Sequence, residues 1–292
     1  MSTQSRLPAN AEDGVHYRPM EARDLDQAWG LSLDQHWPHR PIDWENALAL
    51  GEGIVAECDG QVVGSALRWR WDATHATVGL IIVSEHMRGR RVGSALTSQL
   101  LDDLDGYTVS LHATEEGRGL YERLGFVRTG EIRQHQGIAS PAPLIALGDG
   151  WRLRPYDRSD DEALFAFDTR ARGWSRPSLL RMCLDTAESV MVLDHGGELS
   201  GYAVLRRFGR GLVIGPVIAS DATGAKALIG HFASLAAGRF VRIDLEFSSG
   251  LVAWVEALQL QRVGTVTAMA RGPVPAKDAG AHLFALATQA LG

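Results

Sequence analysis

The chain has 292 residues, of which 45% are hydrophobic and 22% charged, and it carries a net charge of −6. That length allows one large domain or two ordinary ones, and the composition is that of a packed globular protein. The acidic balance disfavours a nucleic-acid partner, and no apolar run reaches the length of a membrane span.

The first residues, Met1–Gly14, read as a disordered lead-in without the apolar core of a signal peptide. Tyr17-Arg18-Pro19 opens a short strand. Asp24 is placed to cap a helix through Leu25, Ala28, Trp29 and Leu33. Residues 34–53 read as irregular. Ile54–Cys58 and Gln61–Trp69 form a predicted hairpin turning at Asp59-Gly60, a dipeptide suited to a type I′ turn. Thr77–Val83 is a near-continuous apolar run, as in a strand buried on both faces.

After a basic loop, Val92, Ala95, Leu96, Leu100, Leu101 and Leu104 fall on one helical face. Tyr107–Ala113 predicts a strand, Gly117–Leu124 a helix and Phe126–Ile132 a last strand. Residues 138–150, with two prolines and no clear period, predict a linker. Beyond it the pattern restarts. Arg18-Pro19 with Asp24 recurs as Arg154-Pro155 with Asp160, and Asp59-Gly60 with Gly64 as Gly196-Gly197 with Gly201. These correspondences lie about 136 residues apart, as a tandem duplication requires. The expected domains are 15–137 and 151–292, with a final apolar helix over Ala279–Leu291.

Chemistry concentrates in the first half. Arg88-Gly89-Arg90-Arg91-Val92-Gly93-Ser94 opens the helix, where free backbone N–H groups and the helix dipole favour anionic oxygens. Glycines let phosphate approach that backbone, and the arginines add fixed charge. The segment resembles the acetyl-CoA pyrophosphate loop of the GNAT superfamily of N-acetyltransferases, with Arg91 where the first loop glycine usually sits. A second segment, Leu120-Tyr121-Glu122-Arg123-Leu124-Gly125-Phe126, resembles the Leu-Tyr-x-x-x-Gly-Phe stretch of the same family.

The resemblance implies an α/β protein with a mixed sheet, two GNAT-like domains in tandem, and a strand splay that admits the pantetheine arm. The segment matching the loop in the second half, Ser220–Ala227, has neither its arginines nor its close glycines, and Val255 stands where Tyr121 would be. The second domain is therefore expected to be degenerate.

The function implied is an acetyl-CoA-dependent N-acetyltransferase acting on a small amine, a monomer or homodimer. Tyr121 is expected as the acid that protonates the leaving thiolate. Ile81 and Val83 are expected to hold the thioester through strand amides, with Arg88, Gly89, Arg90, Arg91, Val92, Gly93 and Ser94 around the pyrophosphate. Thr114 stands where the family often has a cofactor-binding asparagine. His36, Trp37 and Trp71 are the expected acceptor contacts. Asp168, Arg172, Trp174, Arg176 and the Asp244–Ser248 stretch are expected contributions from the second half. No general base stands out, although Glu85, His75 and His112 are candidates. The alternatives are an acyl-CoA sensor without turnover and a protein or peptide N-acetyltransferase.

Ten histidines are scattered, and Pro38 separates the one close pair, His36 and His39, so no metal site is expected. Two distant cysteines, Cys58 and Cys183, give no disulfide framework and point to a reducing cytoplasm.

Overall fold

The computed structural model describes residues 14–276 and 278–292. All of the expected lead-in except Gly14 lies outside them. The first half contains strands β1 (Val15–Pro19), β2 (Glu52–Cys58), β3 (Gln61–Arg70), β4 (His75–Val83), β5 (Thr108–Ala113) and β6 (Val127–Ile138). Its helices are α1 (Leu25–Asp34), α2 (Pro41–Leu50), α3 (Val92–Leu101) and α4 (Glu115–Arg123). The second half contains β7 (Trp151–Pro155), β8 (Ala187–His195), β9 (Glu198–Phe208), β10 (Gly211–Ala219), β11 (Phe240–Glu246), β12 (Gln261–Arg271) and β13 (His282–Ala285). Its helices are α5 (Asp161–Arg172), α6 (Pro177–Asp185), α7 (Ala222–Leu235) and α8 (Val252–Ala257).

The two halves repeat one another down to single ion pairs. Arg18 donates to both oxygens of Asp24 at 2.7 and 2.8 Å, and Arg154 does the same to Asp160 at 2.8 and 2.7 Å. Each aspartate also accepts a backbone N–H three residues earlier, from Glu21 and Asp157, and so fixes the turn into α1 or α5. Each arginine meets a second carboxylate on the next strand, Glu57 or Asp194. At the hairpin, Asp59 and Gly60 have φ of 50° and 76°, the left-handed pair that a type I′ turn requires.

All strands join one mixed sheet, in the order β1-β2-β3-β4-β5-β12-β6-β11-β13-β10-β9-β8-β7. The halves exchange strands at its centre. β12 lies antiparallel to β5, with Thr267 opposite Ala113, while β6 lies antiparallel to β11, with Ile243 opposite His135. Each half's last long strand thus completes the other's sheet. This explains why β6 continues to Ile138, six residues past its expected end: it spans both partners.

The cores follow the same plan. On one face of the sheet α1 and α2 share a core with α5 and α6, joining Trp44, Trp69 and Trp71 to Leu164, Trp174 and Tyr202. On the other face the halves keep separate cores, under α3 and α4 in the first and under α7 and α8 in the second.

Two expectations are corrected. Residues 34–53 include α2, started by Pro41 in its first turn, where a missing N–H costs nothing. The apolar run 279–291 holds no helix: His282–Ala285 is β13, wedged between β10 and β11, and turns follow it. A short apolar run reads alike for a buried helix and a buried strand. Here the gap between two splayed strands decides.

Candidate active site

Strands β4 and β5 run parallel and pair only from His75–Thr77 to Thr108–Ser110, then part. Toward its end β4 bulges against β3 at Leu80, which has φ of 50° and whose carbonyl accepts from Ser65 Oγ at 3.0 Å. A left-handed non-glycine residue inside a strand re-aims the chain that follows it. Beyond the bulge, Ile81, Ile82 and Val83 form one wall of a cavity of about 700 Å³. The loop Arg88, Gly89, Arg91, Val92, Gly93 and Ser94 forms the second wall, and Thr114 with Tyr121 belongs to the third.

The loop is built to receive an anion. Arg91 is the N-cap of α3 with φ of 61° and takes the left-handed conformation that a glycine usually supplies. No side chain caps α3, and its first turn holds no acid. Among the described residues the amides of this turn therefore have no side-chain acceptor, and three arginines (Arg88, Arg91 and Arg123) line the same cavity. Arg88 donates to Gln35 at 2.7 Å, which ties the loop to the end of α1. Arg90 is exposed and lies outside the cavity wall, contrary to expectation.

The matching helix end in the second half is closed. Asp221 caps α7 and its carboxylate accepts from the Gly224 amide at 2.8 Å, so an anion there would meet a negative charge. The matching gap between β10 and β11 is filled by β13, with Ala285 opposite both Val217 and Leu245. Among the described residues, only the first half keeps its cleft.

Tyr121 is buried against Phe126 at the base of the large cavity, and burial pushes its hydroxyl up to about 12. It stays protonated across the physiological range, as a proton donor must. Thr114 caps α4 by accepting from the Gly117 amide at 3.3 Å, which leaves its hydroxyl hydrogen available.

A second cavity, of about 230 Å³, shares Trp37 and Thr114 with the first. Its walls come from both halves: His39, Val78–Leu80, His112 and Gln134 from the first, and Phe208, Arg242, Gly264–Val266 and Thr288–Ala290 from the second. The segment after β13 crosses the β4–β5 gap, so that His112 Nδ1 donates to the Gln289 carbonyl at 2.8 Å. That bond fixes the proton on Nδ1 and leaves Nε2 as an acceptor. Burial pushes His112 down to about 4 and His39 likewise, the latter helped by Arg242.

Several expected acceptor residues lie elsewhere. His36 is exposed on a left-handed turn after α1 and borders neither cavity. Trp71 is buried, donates to Thr77 Oγ1 at 3.0 Å and stacks between Trp69 and Trp174. Asp168 is fully buried with Arg176, which donates to both its oxygens, and with Tyr202, so this trio holds the shared core. Arg172 and Trp174 line a third cavity, which shares His112 with the second, and His75 stacks on Trp174 at 4.3 Å. Glu85 is exposed. Arg242 was missed, although its alternation with Asp244 in an otherwise apolar strand is a legible sign of a buried charged pair.

The cleft of about 700 Å³ thus lies at a strand splay and is bounded by an uncapped helix N-terminus. Residues 50–128 match an acetyltransferase (GNAT) domain, and residues 164–285 match a second domain of that description. The chain belongs to the GNAT acetyltransferase family, a family of N-acyltransferase enzymes, and carries the domain twice.

Among curated proteins it is 29% identical over 171 residues to the uncharacterized N-acetyltransferase YitH of Bacillus subtilis. That match covers 58% of this chain and 60% of YitH. It is 27% identical to protein ElaA of Escherichia coli over 36% of this chain and 73% of that one. In fold it is similar to a putative acetyltransferase from Pyrococcus horikoshii, with a TM-score of 0.79, 17% identity and 99% and 100% of the two chains covered. It is also similar to a tandem GNAT protein from the clavulanic acid biosynthesis pathway, with a TM-score of 0.64, 16% identity and 89% and 99% covered.

Among the described residues no helix is long and apolar enough to cross a membrane, and no group of three His, Cys, Asp or Glu is placed to hold a metal.

Proposed function

We propose that the protein is an acetyl-CoA-dependent N-acetyltransferase of the cytoplasm that acetylates a small amine. The observation that carries this reading is the junction of the two cavities at Trp37 and Thr114, beside Tyr121. One cavity fits a long anionic cofactor and the other a compact acceptor, and they meet where a proton donor stands.

In this reading the α3 amides with Arg88 and Arg91 hold the pyrophosphate, and the end of β4 positions the thioester. The acceptor nitrogen attacks the thioester carbonyl as a neutral amine. The carbon–sulfur bond breaks, Tyr121 gives its proton to the thiolate, and the amide product keeps the acetyl group. The nitrogen gives up one proton to solvent, from which Tyr121 recovers its own. His112 Nε2, neutral and weakly basic, accepts a hydrogen bond from the amine and orients it more than it deprotonates it. The volume of the second cavity, about 230 Å³, supports a small molecule over a peptide.

The test is acetyl-CoA consumption with a panel of small amines, beside calorimetric binding of acetyl-CoA alone. Binding with turnover supports the enzyme. Binding without turnover on any amine makes the protein a sensor, and absence of binding removes the reading altogether.

A further inference from the structure

We propose that the acceptor is an amine that also carries an anionic group, a carboxylate in the simplest case, and that Arg242 of the second half anchors that group. This rests on the second cavity being the acceptor site.

Among the described residues the cavity wall carries one fixed charge. Arg242, on β11, is 7% exposed. Its Nε and Nη2 donate to Asp244 at 2.8 to 3.1 Å, so one edge of the guanidinium is spent. Its Nη1 has no protein acceptor among the described residues, and Arg242 belongs to the cavity wall. Asp244 cannot serve a ligand in the same way, because it also accepts from Gln289 Nε2 at 3.0 Å and its side chain is fully buried. Among the described residues no aspartate or glutamate lines the cavity.

The neighbours agree with this sign of charge. Phe208 lies under the Arg242 guanidinium at 5.4 Å, and His39 packs edge-on against Phe208 at 5.4 Å. His39 Nδ1 is buried with no protein partner, a neutral polar atom left for a ligand. The field of Arg242 helps to keep that imidazole neutral.

A second ammonium in this cavity would lose its hydration, face Arg242 and find no carboxylate, so a polyamine is disfavoured. A carboxylate would gain a charge-assisted hydrogen bond from Nη1 in a site largely shielded from water. Its amine end would then lie toward His112 and Thr114, on the side shared with the cofactor cavity. This reverses the simple expectation from net charge: an acidic protein has placed a cation in its acceptor pocket.

The experiment compares free α-amino acids with their own amides and methyl esters, and with diamines of similar length, as acceptors for the wild-type protein and acetyl-CoA. The free acids are expected to lead in kcat/KM by at least tenfold. A paired variant, Arg242→Gln with Asp244→Asn, removes both charges together and leaves no unpaired ion in the core. Its acid-to-amide ratio is expected to fall toward one, with the acetyl-CoA dissociation constant unchanged as evidence of an intact first half. Equal or better turnover of amides, esters or diamines by the wild type overturns the proposal and leaves the acetyltransferase reading standing. Loss of acetyl-CoA binding by the wild type overturns both.

Discussion

His112 on β5 donates an Nδ1–H hydrogen bond of 2.8 Å to the carbonyl of Gln289, 177 residues later in the chain. The cleft of the first half is therefore floored by the end of the second, and neither half alone makes the second cavity. The bond needs only a proton on Nδ1, which the neutral and the charged ring both carry; burial is what holds His112 neutral in the folded state, and acid pH opposes that.

Three histidines, His39, His75 and His112, are held down to about 4 by burial, and His135 and His231 are lowered in the same direction. An unfolded histidine takes up its proton near 6.5. As pH falls below that value, the unfolded state binds more protons than the folded one, so stability present above about 6.5 is lost progressively toward 4. The carboxylates lowered by ion pairs, such as Asp24 and Asp160, titrate below this window. The melting temperature is expected to drop between pH 7 and pH 5, and His112→Gln is expected to flatten the slope. A melting temperature constant over that range contradicts the burial argument.

Tyr121→Phe removes the hydroxyl and keeps the ring that packs on Phe126. Turnover is expected to fall about 10²- to 10⁴-fold, the usual worth of a positioned acid, with acetyl-CoA affinity held within about threefold. Because the hydroxyl titrates near 12, no alkaline loss of rate assigned to this residue is expected below about pH 10. Steady-state rates beside equilibrium binding separate the two effects. Parallel loss of both would make Tyr121 a packing residue.

Acetyl-CoA is expected to bind once per chain. The second cleft is closed twice, by Asp221 on the α7 N-terminus and by β13 in the strand gap. Arg88→Ala is expected to weaken binding by about ten- to a hundredfold through loss of a charge-assisted contact. Gly93→Glu adds a carboxylate at the pyrophosphate position, where the space is ordinary and the glycine is not needed for packing. Calorimetry reads both variants, and a stoichiometry of two would reopen the second half.

What was legible in the chain follows from how local each signal is. The loop Arg88–Ser94 and the helix with Tyr121 are contiguous, so residue type and spacing identify them. The ion pairs of Arg18 and Arg154 are six residues from their partners, which made the repeat readable. The second cavity brings together residues near positions 38, 79, 112, 208, 242 and 289, and nothing in a linear pattern records that meeting. In the sequence, Trp71, Asp168 and Arg176 resemble site residues because tryptophans and charges also mark binding surfaces. The shared core between α1–α2 and α5–α6, visible only once the halves are joined, absorbs them. The strand exchange has the same character, since β6 and β12 suit either neighbour by composition.

The placement of β13 makes one glycine decisive. A Cβ on Gly215 of β10 would stand 2.0 Å from the Leu286 carbonyl oxygen, a backbone atom that a side-chain rotation cannot move. Gly215→Ala must therefore push the segment after β13 outward. That segment includes Thr288–Ala290, which wall the second cavity, the proposed acceptor site. The expected cost is about 2–3 kcal/mol by overpacking, with a raised acceptor KM and an unchanged acetyl-CoA dissociation constant. Gly30, inside α1 with open space where its Cβ would go, is the matched control. Gly30→Ala is expected to leave stability unchanged or raise it by up to about 1 kcal/mol through helix propensity. Thermal melting of the two variants compares them directly. Equal behaviour would mean that the segment after β13 is not held against β10, and the acceptor cavity would lose the wall that the second half lends it.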